Sequence, residues 1–86
     1  MRPWFLYIAA AENEKLYIGI STDPERRLKE HNSGKGSCFA LQNGQLKLVY
    51  ASTPLKNQSV ARKLEIKLKG WTRVNKLKLV AGEWKL

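Results

Sequence analysis

Large apolar side chains recur at every second position in two stretches near the start of the chain. From Trp4 to Ala9 and from Leu16 to Ser21, one parity holds Trp4, Leu6, Ile8, Leu16, Ile18 and Ile20, and the other holds Phe5, Tyr7, Ala9, Tyr17, Gly19 and Ser21. A period of two predicts two strands whose first set turns toward a core. The polar Glu12 and Asn13 between them predict an antiparallel hairpin. If both apolar sets share one face, paired residue numbers must sum to an even value, because a slip of one flips a strand. A sum of 24 closes the hairpin on a three-residue loop, 11–13, and sets Tyr7 opposite Tyr17; sums of 22 or 26 make the tyrosines diagonal neighbours still within reach.

Beyond Ser21 the period lengthens. Thr22 or Asp23 can cap a helix whose first turn holds Pro24 and Glu25 and which ends near Asn32. Its inward positions, spaced i, i+3, i+4, i+7, are Pro24, Arg27, Leu28 and His31. A helix that served only the core would not place an Arg and a His beside a single Leu. A loop with three glycines spans 33–44, and Lys47 to Ser52 alternates as a third strand. A second helix runs from about Ser59 to Lys69 with Val60, Leu64, Leu68 and Trp71 as its apolar stripe, and Gly70 ends or bends it. Thr72 can cap a third, short helix through Val80, with Val74, Leu77 and Val80 inward. The expected fold is α/β in the α+β sense: a small three-stranded antiparallel sheet flanked by three helices, in the order ββαβαα, as one domain over residues 1–86.

Composition narrows the partner. Hydrophobic residues at 43% and charged residues at 27% are ordinary for a globular chain. The balance of charge is not, since 16 Lys and Arg stand against 7 Asp and Glu. After Asn43 the chain holds 10 basic and 2 acidic residues, so nearly all of the +9 excess lies in that half. Such a field draws polyanions, nucleic acid foremost. The apolar stretch from Pro3 to Ala11 is too short to span a bilayer and has a better use as a strand. Cys38 is the only cysteine, which fits a reducing, cytoplasmic setting and excludes an intrachain disulfide or a Cys-rich zinc site.

Against that background one carboxylate stands out. Glu65 is the only acid between Glu30 and Glu83, and its helix carries Arg62, Lys63, Lys67 and Lys69. At about 100° per residue it sits just outside the predicted stripe, at the rim of the helix contact with the sheet. An ion pair with Lys69 is the simplest use of such a residue and contributes only about 0.3–0.5 kcal/mol. Isolation among cations also suits a ligand for a divalent metal. Phosphodiester hydrolysis needs a metal to polarise phosphate, a group to activate water and a cation for the developing charge. Glu65 can hold Mg²⁺ or Mn²⁺ through oxygen, Arg27 can grip a phosphate in bidentate fashion, and Tyr7, Tyr17 and His31 can give or take protons.

These residues also carry a resemblance. Phe5-Leu6-Tyr7, then Tyr17-Ile18-Gly19, then Ser21, Arg27 and His31, with Glu65 on a later helix, resemble the GIY-YIG nuclease superfamily. The run YIGISTDPERRLKEHNSGKG from Tyr17 to Gly36 is most similar to its small single-domain bacterial branch, itself similar to the catalytic domain of the bacterial excision-repair nuclease. The resemblance implies a one-metal endonuclease in which Glu65 is the sole protein ligand of the ion. Tyr17 with Tyr7 would orient or deprotonate the attacking water, Arg27 would stabilise charge, and His31 would shuttle a proton or orient its neighbour. Gly19 would let backbone or phosphate approach. Phe5 replaces the opening glycine of the family name, and Cys38, Phe39, Ala40 and Leu41 stand in a loop where relatives often carry Lys, Tyr, Thr or Arg.

The expected substrate is DNA, with RNA left open, at branched, nicked or damaged features, and Lys35, Arg62, Lys63, Lys67 and Lys69 are the expected phosphate contacts. No membrane is expected, and a monomer is the default. The alternative is a non-catalytic basic module that binds nucleic acid on the same fold.

Overall fold

Turn chemistry sets the hairpin register. In the computed structural model, which describes residues 3–33 and 44–83, β1 (Phe5–Ala11) runs antiparallel to β2 (Leu16–Ser21), with Tyr7 opposite Gly19 and Ala9 opposite Tyr17. The pairs sum to 26 rather than 24. The loop does have three residues, but they are 12–14: the Ala11 amide donates to the Lys15 carbonyl at 2.9 Å, and the Glu14 amide to the Ala11 carbonyl at 2.9 Å. Glu14, at φ 69°, takes the left-handed position that returns such a loop to its strand. A sum of 24 would have pulled Ala11, which is buried, into the turn. The tyrosines are therefore diagonal neighbours.

Strand β3 (Leu46–Ala51) lies antiparallel on the other side of β1, giving the order β2-β1-β3, with a register shift between Ile8 and Ala9. Beyond it Ser52 extends the pairing by other means. Its amide donates to the Leu6 carbonyl at 2.8 Å, and its Oγ accepts the Leu6 amide at 3.0 Å.

The central strand is covered on both sides. Leu6, Ile8 and Ile18 meet Leu68 and Leu79 from the second and third helices, with Leu16, Ile20, Leu64 and Trp71 packed around them. On the other face Tyr7, Ala9 and Ala11 pack with Leu28 of the first helix and Leu46. Sequence alternation located the first core; the second is built from the mixed parity.

Helix α1 (Pro24–Asn32) starts as expected, Asp23 Oδ1 accepting the Arg26 amide at 3.3 Å and Pro24 opening the first turn. Leu28 and His31 turn inward. Helix α2 (Gln58–Lys69) is capped by Asn57, whose Oδ1 accepts the Val60 amide at 2.9 Å. Its buried positions are Ala61 and Leu68, while Val60 is exposed, so the inward stripe begins one residue later than its largest apolar side chain suggests. Helix α3 (Arg73–Val80), capped by Thr72, buries Leu79 and leaves Val74 and Leu77 exposed, contrary to the expected face. Steps of three residues drift by about 60° each, so Val74 and Val80 lie about 120° apart and cannot share a narrow contact. Among the described residues no helix is long and apolar enough to cross a membrane.

One clamp ties α1 to the sheet. Asn32 Nδ2 donates to the Leu46 carbonyl at 2.9 Å and Asn32 Oδ1 accepts the Leu46 amide at 2.7 Å, so one side chain pairs with Leu46 as a neighbouring strand would. Leu46 is buried, and losing both bonds strands its amide and carbonyl. Asn32→Ala is expected to destabilise the fold by about 2–3 kcal/mol; urea unfolding of parent and variant measures it, and a loss below about 0.5 kcal/mol would show the clamp to be incidental.

Candidate active site

Tyr7 is the centre of the arrangement. It leaves β1 on the α1 side of the sheet, is 1% exposed, and lays its ring across Gly19 of β2. A Cβ at position 19 would stand 2.6 Å from the Tyr7 hydroxyl oxygen and 2.7 Å from Cζ. The glycine therefore makes room for a tyrosine of its own chain, where the sequence suggested room for substrate. Two residues upstream, Tyr17 shares a hydrogen bond with the Tyr7 phenol; the ring centroids are 6.2 Å apart at 36°.

His31 stands against the far side of Tyr17, edge-on, with centroids 5.3 Å apart and planes at 61°. It is 1% exposed, and among the described residues neither ring nitrogen has a hydrogen-bond partner. Burial, then the Arg27 charge, hold its pKa below the ordinary histidine value, with Glu30 opposing. The imidazole is thus neutral near pH 7. Because the unfolded chain takes up the proton more readily, stability is full above about pH 6.5 and is lost as pH falls through that value. Between pH 7 and 5 the parent is expected to lose more unfolding free energy than His31→Phe, as titrated by urea unfolding at each pH; parallel curves would show that His31 is not held neutral.

Arg27 lies one helical turn before His31 with its side chain 40% exposed. Its charge reaches both the His31 ring and the Tyr7 phenol. Arg27 Nη1 is 3.2 Å from Glu30 Oε2, and Arg26 Nη1 is 2.6 Å from Glu30 Oε1. Exposed pairs of this spacing are worth about 0.3–0.5 kcal/mol, against about 1.5–3 kcal/mol for charged hydrogen bonds, so a phosphate can draw Arg27 away. Sequence reading missed Glu30, although its i+3 and i+4 spacing from the two arginines was visible.

Glu65 reaches the same place from α2, which packs more closely on β2, the edge strand, than on β1. Its side chain is only 14% exposed, its Oε2 is 3.5 Å from Lys69 Nζ, and its charge acts on the Tyr7 phenol. Burial foremost, then Tyr17, and also Glu65 push the Tyr7 phenol well above the usual tyrosine range, with Arg27 opposing. Tyr7 therefore remains a neutral hydrogen-bond donor at physiological pH, which suits it to orienting a ligand. Among the described residues no three His, Cys, Asp or Glu side chains gather as a metal cage. One carboxylate within electrostatic reach of a phenol fits a hard cation that keeps most of its water.

The structure thus brings Tyr7, Tyr17, Arg27, His31 and Glu65 to one edge of the sheet. Arg62, Lys63, Lys67 and Lys69 are all exposed. At about 100° per residue, Lys69 and Arg62 flank Glu65 within about 60°, whereas Lys63 and Lys67 both point about 160° away. Lys35 lies outside the described residues, as does the segment from Cys38 to Leu41. Asn32 was not among the sequence candidates; an Asn near a helix end signals a cap, and nothing in the sequence names Leu46 as its partner.

A family model described as the GIY-YIG catalytic domain matches residues 3–78. The chain belongs to the GIY-YIG family. It is 44% identical over 81 residues to the UPF0213 protein YhbQ of Escherichia coli O127:H6, covering 94% of this chain and 80% of that protein. Two solution structures share its shape. The UPF0213 protein BH0048 from Bacillus halodurans aligns over 91% of this chain and 82% of its own at 31% identity, with a TM-score of 0.56. The protein EF2693 from E. faecalis aligns over 95% and 86% at 27% identity, with a TM-score of 0.62. The domain is therefore of nuclease type, and the family match covers the stretch that contains all five converging residues.

Proposed function

We propose that the protein is a divalent-metal-dependent endonuclease that hydrolyses phosphodiester bonds of DNA. The observation that carries this reading is the largely buried Glu65 carboxylate, which comes from the helix beside the edge strand β2 and lies within electrostatic reach of the Tyr7 phenol, which Arg27 also reaches. Glu65 would hold Mg²⁺ or Mn²⁺ as its one protein ligand. A bound ion of this kind polarises the phosphate and makes water more acidic. The Tyr7 phenol, kept protonated, donates a hydrogen bond and fixes Tyr17. The Tyr17 phenol orients the attacking water. Arg27, released from Glu30, pairs with the scissile phosphate and neutralises charge as it develops. His31 packs edge-on against the Tyr17 ring, and with both nitrogens buried and without a hydrogen-bond partner among the described residues it positions that ring. Lys69 and Arg62 frame the carboxylate, offsetting its repulsion of phosphate.

The reading predicts nicking of supercoiled plasmid by purified protein with Mg²⁺ or Mn²⁺ and its loss with EDTA, read on agarose gels. Nicking indifferent to EDTA would remove the metal from the reaction, and no nicking with any divalent ion would remove the activity.

A further inference from the structure

Three cations that take no part in the site above meet where β2 begins, next to Tyr17 along the chain. Lys15 and Leu16, where β2 begins, and Arg73 and Lys76 of α3 line an open cleft of about 200 Å³. Among the described residues none of the three forms an ion pair, whereas Arg26, Arg27 and Lys69 each have a carboxylate partner. The nearest acid by position is Glu14, which lines the adjoining groove with Arg73, Leu16 and Leu77. Even with Glu14 counted, the end of the molecule carries an excess of two positive charges. Like charges held together without counter-ions destabilise the fold that holds them, and an anion in the cleft relieves that repulsion.

Position ties the cleft to the site. Lys15 precedes β2 and lies two residues from Tyr17, about 7 Å at about 3.3 Å per residue. On α2, Lys69 lies one turn beyond Glu65, and the chain then passes through Gly70, Trp71 and Thr72 to Arg73, so cations continue from the carboxylate toward the cleft. A polynucleotide strand advances about 3.4 Å per base step, so a strand with one phosphate at Tyr17 places another, about two steps away, near the cleft. We infer that Lys15, Arg73 and Lys76 form a second phosphate-binding site, which holds the backbone of a nucleic-acid substrate a few nucleotides from the bond at Tyr17 and Glu65. This rests on the proposed nuclease reading and adds to it an anchor that sets how long a substrate must be.

The test compares the parent, a triple variant (Lys15→Gln, Arg73→Gln, Lys76→Gln) and a control of equal charge loss (Lys29→Gln, Lys47→Gln, Lys56→Gln), each checked for an unchanged circular dichroism spectrum. Binding to a fluorescent 20-base-pair duplex is titrated across salt, and hydrolysis of bis(4-nitrophenyl) phosphate with Mn²⁺ is followed alongside. The triple variant is expected to bind the duplex about tenfold more weakly in 50 mM salt and to lower the slope of log K against log salt by about one to two. Hydrolysis of the small diester should be unchanged, and the control should lose less than half as much affinity. Equal losses in triple variant and control, or equal affinity in triple variant and parent, would overturn the cleft as a site. Binding that depends on the three residues with phosphatidylglycerol vesicles but not with the duplex would assign the cleft to a membrane surface and overturn it too. A parent that binds the duplex and hydrolyses nothing would refute the nuclease reading while the binding comparison still decided the cleft.

Discussion

Glu65→Gln is expected to lower the rate of DNA cleavage by about 10³-fold while the protein folds as before and binds DNA equally well or more tightly. The exchange keeps the shape of the side chain and removes only its charge. What is lost in the ground state is the contact with Lys69, which at 3.5 Å on a side chain 59% exposed is worth at most about 0.5 kcal/mol. Thermal stability should therefore move by no more than about 2–4 °C. Binding loses nothing, because a negative charge beside phosphate opposes it, and its removal helps. Catalysis loses the anionic oxygen that would hold the metal, and removal of a single group acting on the transition state typically lowers kcat by about 10²–10³-fold. Cleavage assayed beside filter binding separates the effects. A variant that cuts at the parent's rate removes Glu65 from the site, whereas a parent that binds without cutting supports a non-catalytic module on the same fold.

Much of this was legible in the sequence because it depends on local rules. The parity of Leu6, Ile8, Ile18 and Ile20 announces a sheet with a packed face, and Asp23-Pro24-Glu25 announces a helix start, since alternation and capping act within a few residues. The five candidate residues were legible as a set through their resemblance to the GIY-YIG pattern. What the chain did not disclose depends on contacts between distant parts. Val60 is larger than Ala61, yet Ala61 is the residue that faces the sheet, because the direction from which α2 arrives decides its phase. Val74 and Leu77 look like core residues and are exposed, because Trp71 and Leu79 already satisfy that contact. The pairing of Asn32 with Leu46 joins residues 14 positions apart and leaves no periodic mark. The raised pKa of Tyr7 follows first from burial under α1, which no local pattern announces.

Gly19 shows how a motif residue can act through its neighbour, and its replacement should have the second largest effect. Gly19→Ala introduces a methyl group at a point 2.6 Å from the Tyr7 hydroxyl oxygen, 2.7 Å from Cζ and 3.0 Å from Cε1. No approach so close is tolerated, and the ring is not a flexible tip that swings clear, since Tyr7 is buried. Either the Tyr7 ring leaves its rotamer or β1 and β2 separate locally, and overpacking of this kind costs about 1–3 kcal/mol. For a domain of this size that is about 10 °C in Tm. Because the displaced atom is the phenol that would orient Tyr17, a shift of about 1 Å should also lower cleavage by about 10²-fold. The two effects can be told apart with Tyr7→Ala, which removes the ring. In that background Gly19→Ala should leave Tm nearly unchanged, since nothing remains for the methyl group to strike, yet activity should stay as low as in Tyr7→Ala alone. If Gly19→Ala instead destabilises the protein equally with and without the Tyr7 ring, the glycine serves the backbone of β2 and not the position of the phenol.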